Sequence, residues 1–172
     1  MAMIGRRSAL SLVLLLVIAY SGAQRASAPA SVFDSVLPGL KQQTQIPILL
    51  PDHLPPLGRA PVFASAEGQA ESYAVRLESD PDCDHADACF LGMFRAKKGG
   101  EFSFPEVVQI GKATKGRFKA TSCGGSCSPP AIEWKWNGVL YTAQLNLLTP
   151  DKRESRAIMT KLAENAILQR PR

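Results

Sequence analysis

Ile132-Glu133-Trp134-Lys135-Trp136-Asn137-Gly138-Val139-Leu140-Tyr141-Thr142-Ala143-Gln144-Leu145 is the stretch that decides the fold. Apolar and polar residues alternate on both sides of Asn137-Gly138, the period of a strand with one buried face. Asn-Gly tolerates positive φ at both centres of a type I′ turn, so the two runs are predicted to form a tight hairpin. A two-residue loop sets the register: Trp136 opposite Val139, Trp134 opposite Tyr141, Ile132 opposite Ala143. With Leu145, these residues then share one face. Aromatic cross-strand pairs of this kind contribute roughly 0.2–1 kcal/mol each beyond burial.

An apolar face needs a cover, and a helix follows at once. Thr149 reads as its N-cap, Pro150 suits the first helical position, and Asp151 complements the positive helix end. Ile158, Met159, Leu162, Ala166 and Gln169 recur at three- and four-residue steps, with Lys152, Arg153, Glu154 and Lys161 between them. An amphipathic helix must bury its stripe against a partner. Trp134 and Tyr141 are expected beneath it, against Ile158, Leu162 or Ala166.

Upstream the pattern is also β. Tyr73, Val75 and Leu77 alternate with Ser72, Arg76 and Glu78. Cys89–Lys97, Phe102–Ile110 and Arg117–Ala120 read as further strands, turned at Lys98-Gly99-Gly100 and separated by Gly111 and Gly116. The fold class is therefore α+β: an antiparallel sheet of about five to seven strands with one C-terminal helix packed on it.

Pro47, Pro51, Pro55, Pro56 and Pro61 exclude a helix from 46–61 and permit an extended, edge-like path. Ile46, Ile48, Leu49 and Leu50 predict that this segment docks on the domain, which is expected to run from 46 to 172. Residues 29–45 read as a spacer, with one helical turn at Val32 to Leu40. Residues 1–28 read as a signal peptide. Arg6 and Arg7 precede the apolar run Ser8 to Tyr20, and Ser21-Gly22-Ala23 and Ala26-Ser27-Ala28 offer two cleavage points. The apolar run has 13 residues, short of the ~20 that span a bilayer. The mature protein is expected outside the cytoplasm, periplasmic or extracellular, with Gln24 or Pro29 first.

The whole chain is +5, but the leader carries Arg6, Arg7 and, for the later cleavage, Arg25, and no acid. The mature chain keeps 18 or 17 basic residues against 15 acids, a net charge of +3 or +2. That balance predicts no nucleic-acid partner. One local cluster remains: Arg95, Lys97, Lys98, Lys112, Lys115, Arg117 and Lys119, read as solvated strand ends and turns.

The four cysteines all lie in the mature part, as Cys83-x5-Cys89 and Cys123-x3-Cys127. Four cysteines allow three pairings. Turn-permitting residues inside each short loop favour the local bridges Cys83–Cys89 and Cys123–Cys127. Each closes a small ring, so the chain-entropy gain is only about 2 kcal/mol.

Cys83-Asp84-His85-Ala86-Asp87-Ala88-Cys89-Phe90-Leu91-Gly92 and Cys123-Gly124-Gly125-Ser126-Cys127, followed by Ile132-Glu133-Trp134 and Asn137-Gly138-Val139-Leu140-Tyr141, resemble a group of exported bacterial proteins, several of them cyanobacterial. Members show the same opening, Ile46-Pro47-Ile48-Leu49-Leu50-Pro51, and the same closing helix. The resemblance covers residues 45 to 168 and implies no particular biochemical role. Trp134 through Tyr141, with Leu162-Ala163-Glu164-Asn165-Ala166, also resembles extracellular domains of bacterial anti-sigma regulators. That likeness implies a sensor-like domain of an envelope regulatory system.

His85 with the cysteines lacks the Cys-x2-Cys spacing of structural zinc sites. Asp80, Asp82 and Asp84 match the opening of a calcium loop and Asp87 is near, but His85 stands where glycine is required and Leu91 where a distal Glu is. Cys123 and Cys127 do not open a helix, as redox pairs usually do. His53 and His85 have no nucleophile elbow to serve. No cofactor and no metal requirement are expected, and the protein is expected to be non-catalytic. The leading expectation is an envelope interaction or structural protein with an envelope partner. The alternative is a ligand-binding module using the sheet face near Trp134, Trp136 and Tyr141.

Overall fold

The computed structural model describes residues 28–58, 61–83, 86–169 and 171. The expected signal peptide therefore lies, but for Ala28, outside the described residues. Among the described residues there are eleven strands: β1 (Ala28–Pro29), β2 (His53–Leu54), β3 (Phe63–Gln69), β4 (Ser72–Glu78), β5 (Phe90–Lys98), β6 (Glu106–Ile110), β7 (Thr114–Lys119), β8 (Ser122–Cys123), β9 (Cys127–Ser128), β10 (Ala131–Trp136) and β11 (Val139–Leu145). The helices are α1 (Leu37–Gln43) and α2 (Lys152–Leu168). Seven strands form one sheet in the order β3-β4-β5-β11-β10-β7-β6, every neighbour antiparallel. The fold class is α+β.

The β10–β11 hairpin has the register that its turn dictates. Trp136, Trp134 and Ile132 stand opposite Val139, Tyr141 and Ala143. Asn137 and Gly138 both take positive φ, 49° and 76°. The indole of Trp134 stacks on the Tyr141 ring at 5.6 Å. Gly116 of β7 lies opposite Trp134, and a Cβ there would come within 2.6 Å of the Glu133 carbonyl oxygen.

Three covers share the apolar face of the sheet. Helix α2 packs against β6 and β10 and touches β2, burying Met159, Leu162, Ala163 and Ala166. The Pro-rich segment covers the centre, with Ile46, Ile48, Leu49, Leu50, Leu54 and Leu57 buried. Helix α1 covers β3. The spacer expected at 29–45 is thus corrected: Phe33, Leu37 and Leu40 are core residues, and Phe33 meets Phe94 edge-to-face at 5.6 Å. Burying these three side chains contributes roughly 1.5–3 kcal/mol each, which a free spacer would forgo.

The Pro-rich segment makes no ladder over most of its length, so its buried backbone groups need other partners. Two tyrosines of the sheet supply them. The Tyr73 hydroxyl accepts from the Leu49 N–H (3.1 Å) and donates to the Leu49 carbonyl (3.2 Å). The Tyr141 hydroxyl donates to the Pro47 carbonyl (2.9 Å). Tyr141 is therefore tied to the Pro-rich segment, where sequence reasoning had put only the helix. Burial pushes both phenols well above their ordinary range.

Two further expectations are corrected. Asp151, not Thr149, caps α2: its carboxylate accepts from the Glu154 N–H at 2.7 Å, while Thr149 Oγ1 accepts from the Asp151 N–H. The strand expected over Phe102–Ile110 begins only at Glu106. Pro105 has no N–H to give a ladder, and the Ser103 and Phe104 N–H groups donate to the Glu133 carboxylate instead. Glu106 itself pairs with Lys152 (2.7 Å) and Arg156 (2.9 Å), fastening α2 to the sheet edge.

Candidate functional site

The ligand surface expected at Trp134, Trp136 and Tyr141 is core instead. Trp134 and Tyr141 are each 1% exposed and Trp136 is half-buried. Their face is the one that the three covers close. Among the described residues nothing accepts the Trp134 Nε1–H.

The cysteines pair locally. Cys83 bonds Cys89 across a Cα separation of 6.2 Å, and Cys123 bonds Cys127 across 4.0 Å. The second bridge crosses the β8–β9 ribbon, whose register places the two cysteines opposite each other. Asp80 accepts from the Asp82 N–H at 2.9 Å, a local turn contact. Asp84 and His85 lie outside the described residues. Among the described residues no three or more His, Cys, Asp or Glu side chains are grouped to hold a metal. His53 is exposed, and its Nδ1 lies 2.6 Å from Asp52 Oδ1. The Asp52 N–H donates to Asn165 Oδ1 and its carboxylate accepts from Gln169 Nε2. The hydrogen bond from His53 is the main cause holding the Asp52 carboxyl below its usual range. This network ties the Pro-rich segment to the end of α2.

Among the described residues the opposite face of the sheet has no such set of covers, and the burial of its strands alternates accordingly. Register alone arranges its side chains. One level reads Glu67, Ala74, Arg95, Thr142, Glu133 and Arg117 from β3 across to β7. The next reads Ser65, Arg76, Met93, Gln144, Ala131 and Lys119. On the other side of the first lie Gln69, Ser72, Lys97, Leu140 and Lys135. Most of the basic cluster thus converges here: Arg95 and Lys97 from β5, and Lys115, Arg117 and Lys119 from alternate positions of β7. Lys98 pairs with Glu71 at 2.8 Å instead, and Lys112 sits in the β6–β7 turn.

A strap crosses this face over β10. Glu133 is buried there because the strap covers it. Its carboxylate accepts from the Ser103 N–H (2.9 Å), the Ser103 hydroxyl (2.7 Å) and the Phe104 N–H (3.1 Å). The Phe102 ring has the Lys135 ammonium 5.3 Å and the Arg117 guanidinium 5.9 Å from its centre. Lys135 also pairs with Glu101, and Arg117 donates to the Pro105 carbonyl.

Beside the strap, over β3, β4, β5 and β11, the face is open. Three depressions of about 410, 480 and 570 Å³ lie there. The first two share Glu67, Ala74 and Arg95 as lining; the second and third share Arg76 and Met93. The first two adjoin as a groove along β4 and β5 from Lys97, and the third lies toward the loop that carries Cys127. Arg76 donates to Glu78 at 2.9 Å and lies 5.0 Å above the Phe90 ring. Among the described residues no carboxylate pairs with Arg95, Lys97, Lys115 or Lys119. Unpaired cations gathered on one face create a positive potential that attracts and orients anions. Sequence reasoning identified most of these cations but not the groove. The pattern of β4 did mark Arg76 as outward-facing; which strands lie beside β4 and β5 is a long-range fact.

Among the described residues no helix is long and apolar enough to cross a membrane. Comparison with known protein families, with curated proteins and with solved structures found no match.

Proposed function

We propose that this chain is an exported, non-catalytic interaction protein of the cell envelope, and that it holds its partner on the open face of its sheet. One observation carries the reading: three separate covers close one face of the sheet, and among the described residues the other lies open beside the strap with no carboxylate paired to Arg95 or Lys97. Two disulfides support an oxidising compartment, since such bonds persist outside the cytoplasm. The tripartite leader and the resemblance to exported bacterial proteins support the same address. Pairing of Ala28 with Leu54 favours cleavage after Ala23, because the later site would remove half of the β1 strand.

The test has two parts. N-terminal sequencing of the exported protein is expected to find Gln24 or Pro29; an intact Met1 would contradict export by cleavage. Co-sedimentation of purified mature protein with isolated envelope material is expected to show binding. The double variant Arg95→Glu/Lys97→Glu, checked for an unchanged melting temperature, is expected to lose at least tenfold in affinity. Undiminished binding by that variant, or none by the natural protein, would overturn the proposal.

A further inference from the structure

We infer that β3 is a self-pairing edge: two copies of this chain join their β3 strands antiparallel about a two-fold axis at Ser65, making one continuous sheet of two seven-stranded ones. The inference does not use the proposed envelope partner. It starts from the direction of backbone groups at the end of the sheet. Hydrogen-bonding direction alternates along a strand, so every second residue turns its N–H and C=O to the same side. The Gly68 N–H donates to Gln43 Oε1 at 2.7 Å, on the side away from β4. Ala66 and Ala64 therefore turn their backbone groups to that outer side too. Among the described residues those groups have no partner there, because β3 is the last strand of the sheet. Toward Gly68 the outer side is closed by Gln43 and by the Gln45 N–H, which donates to the Ala70 carbonyl. Toward Val62 it is open: a depression of about 250 Å³ lies along residues 62–65, with Val32, Ser35, Glu78 and Pro81 around it.

The register points to a second copy. With Ser65 on the axis, Ala64 stands opposite the partner's Ala66, and Ala66 opposite the partner's Ala64. Each of these pairs exchanges two hydrogen bonds, so all four outward groups of each copy are used and none is left over. Between them Ser65 meets the partner's Ser65 as a close pair, small side chain against small side chain. The one charge on the paired stretch is Glu67. It falls opposite the partner's Phe63, four residues from the partner's Glu67, so the two carboxylates are ~13 Å apart along the strands and like charges do not meet. Gln43 ends the pairing beyond Glu67 in one copy and, by symmetry, beyond Phe63 where the partner's Gly68 arrives.

β3 also lacks the devices that keep an edge from pairing. It has no proline, no lysine and no bulge. The other edge, β6, is shorter, follows Pro105 and has α2 fastened to it through Glu106. A seam of five residues is narrow beside the area of a permanent interface, so the dimer is reversible and concentration-dependent. Antiparallel neighbours related by a two-fold axis keep the same faces up. Both open faces therefore lie on one side of the joined sheet, and anything held there meets two sets of Arg95 and Lys97.

Sedimentation velocity of the purified protein beginning at Gln24 tests the inference. Over a hundredfold range of concentration the average mass is expected to rise from one chain towards two and no further, because a two-fold seam closes on itself. Ser65→Glu sets two carboxylates opposite each other on the axis, while within its own chain it faces Arg76. It is expected to weaken the dimer at least tenfold with an unchanged melting temperature at low concentration. Ala66→Pro removes an outward N–H and leaves the β4 ladder intact, and is expected to act in the same way. Ser65→Cys, treated with oxidised glutathione, is expected to give a dimer linked through that residue. Glu67→Cys is not, since a disulfide cannot bridge ~13 Å. A protein monomeric over the whole range, as an edge reserved for a foreign strand would leave it, overturns the inference. So does a dimer undiminished in both Ser65→Glu and Ala66→Pro, or crosslinking of Glu67→Cys as ready as that of Ser65→Cys. Envelope binding is no part of this readout: its absence would remove the proposed function and leave the dimer standing, and a monomer that binds envelope material would do the reverse.

Discussion

Tyr73→Phe tests how the Pro-rich segment is held. The hydroxyl of Tyr73 serves both backbone groups of Leu49, accepting from its N–H and donating to its carbonyl, and both residues are buried. Phenylalanine fills the same ring volume, so no cavity term enters. What changes is that two buried backbone groups lose their partner where water does not reach. An unsatisfied buried group costs about 1–3 kcal/mol. The carbonyl has a second lone pair direction and the removed hydroxyl no longer needs desolvation, so the net loss is ~2–4 kcal/mol. For a domain of this size that corresponds to roughly 8–16 °C in melting temperature. Tyr141→Phe is the internal comparison. It removes one donor, to the Pro47 carbonyl, and should lose ~1 kcal/mol. Both variants are measured by urea denaturation at pH 7 and by calorimetry. A Tyr73→Phe protein melting within ~2 °C of the natural one, or a larger loss for Tyr141→Phe, would refute the view that the tyrosines hold this cover.

Other outcomes follow from the same packing. Trp134→Ala should lose roughly 3–5 kcal/mol, because the indole is stacked on Tyr141 inside a closed layer; a loss below ~1 kcal/mol by denaturant titration would mean that the face is not closed. Cys123→Ser/Cys127→Ser should lose no more than about 2 kcal/mol, since its bridge closes only a short ribbon loop; peptide mapping without reductant should recover the two local pairs and no crossed one. Alkaline titration of protein beginning at Gln24, followed at the tyrosinate absorbance, reads Tyr73 and Tyr141. Their folded pKa values are raised above the ordinary 10.0, so the stability they contribute is full below pH 10 and declines as pH rises beyond it. Tyrosinate is therefore expected to appear together with unfolding; ionisation near pH 10 in a protein still folded by circular dichroism would contradict their burial.

Local chemistry was legible before any tertiary contact was known. Asn137-Gly138 sets a hairpin register because a type I′ turn admits one pairing, and the seven side chains of its apolar face follow from that register. Short spacing brings Cys83 to Cys89 and Cys123 to Cys127 because few residues lie between them. The alternation of β4 and β11 and the apolar stripe of α2 are likewise readable, since each depends on neighbours within a few residues. Small errors at the ends of elements were errors of competition between adjacent polar groups: Thr149 and Asp151 both suit a helix start, and only the Glu154 N–H decides between them.

What the sequence did not contain is which distant segments meet. Residues with weak pattern at 29–45 are core because Phe33 finds Phe94, some sixty residues on, and no period in the segment announces that contact. The strap at 101–105 exists because Glu133 offers a buried carboxylate thirty residues away, so an apolar run that looked like a strand lies across the sheet instead. The groove is the furthest from local reading. Its floor joins β3 and β4 to β5 and then to β11, a pairing that spans more than forty residues of chain, and only that order sets Arg76, Arg95 and Lys97 on one face with Thr142. Periodicity states which side of its own strand a residue occupies; the company it keeps there is set by loop closure and the packing of the whole layer, which no short window of sequence encodes.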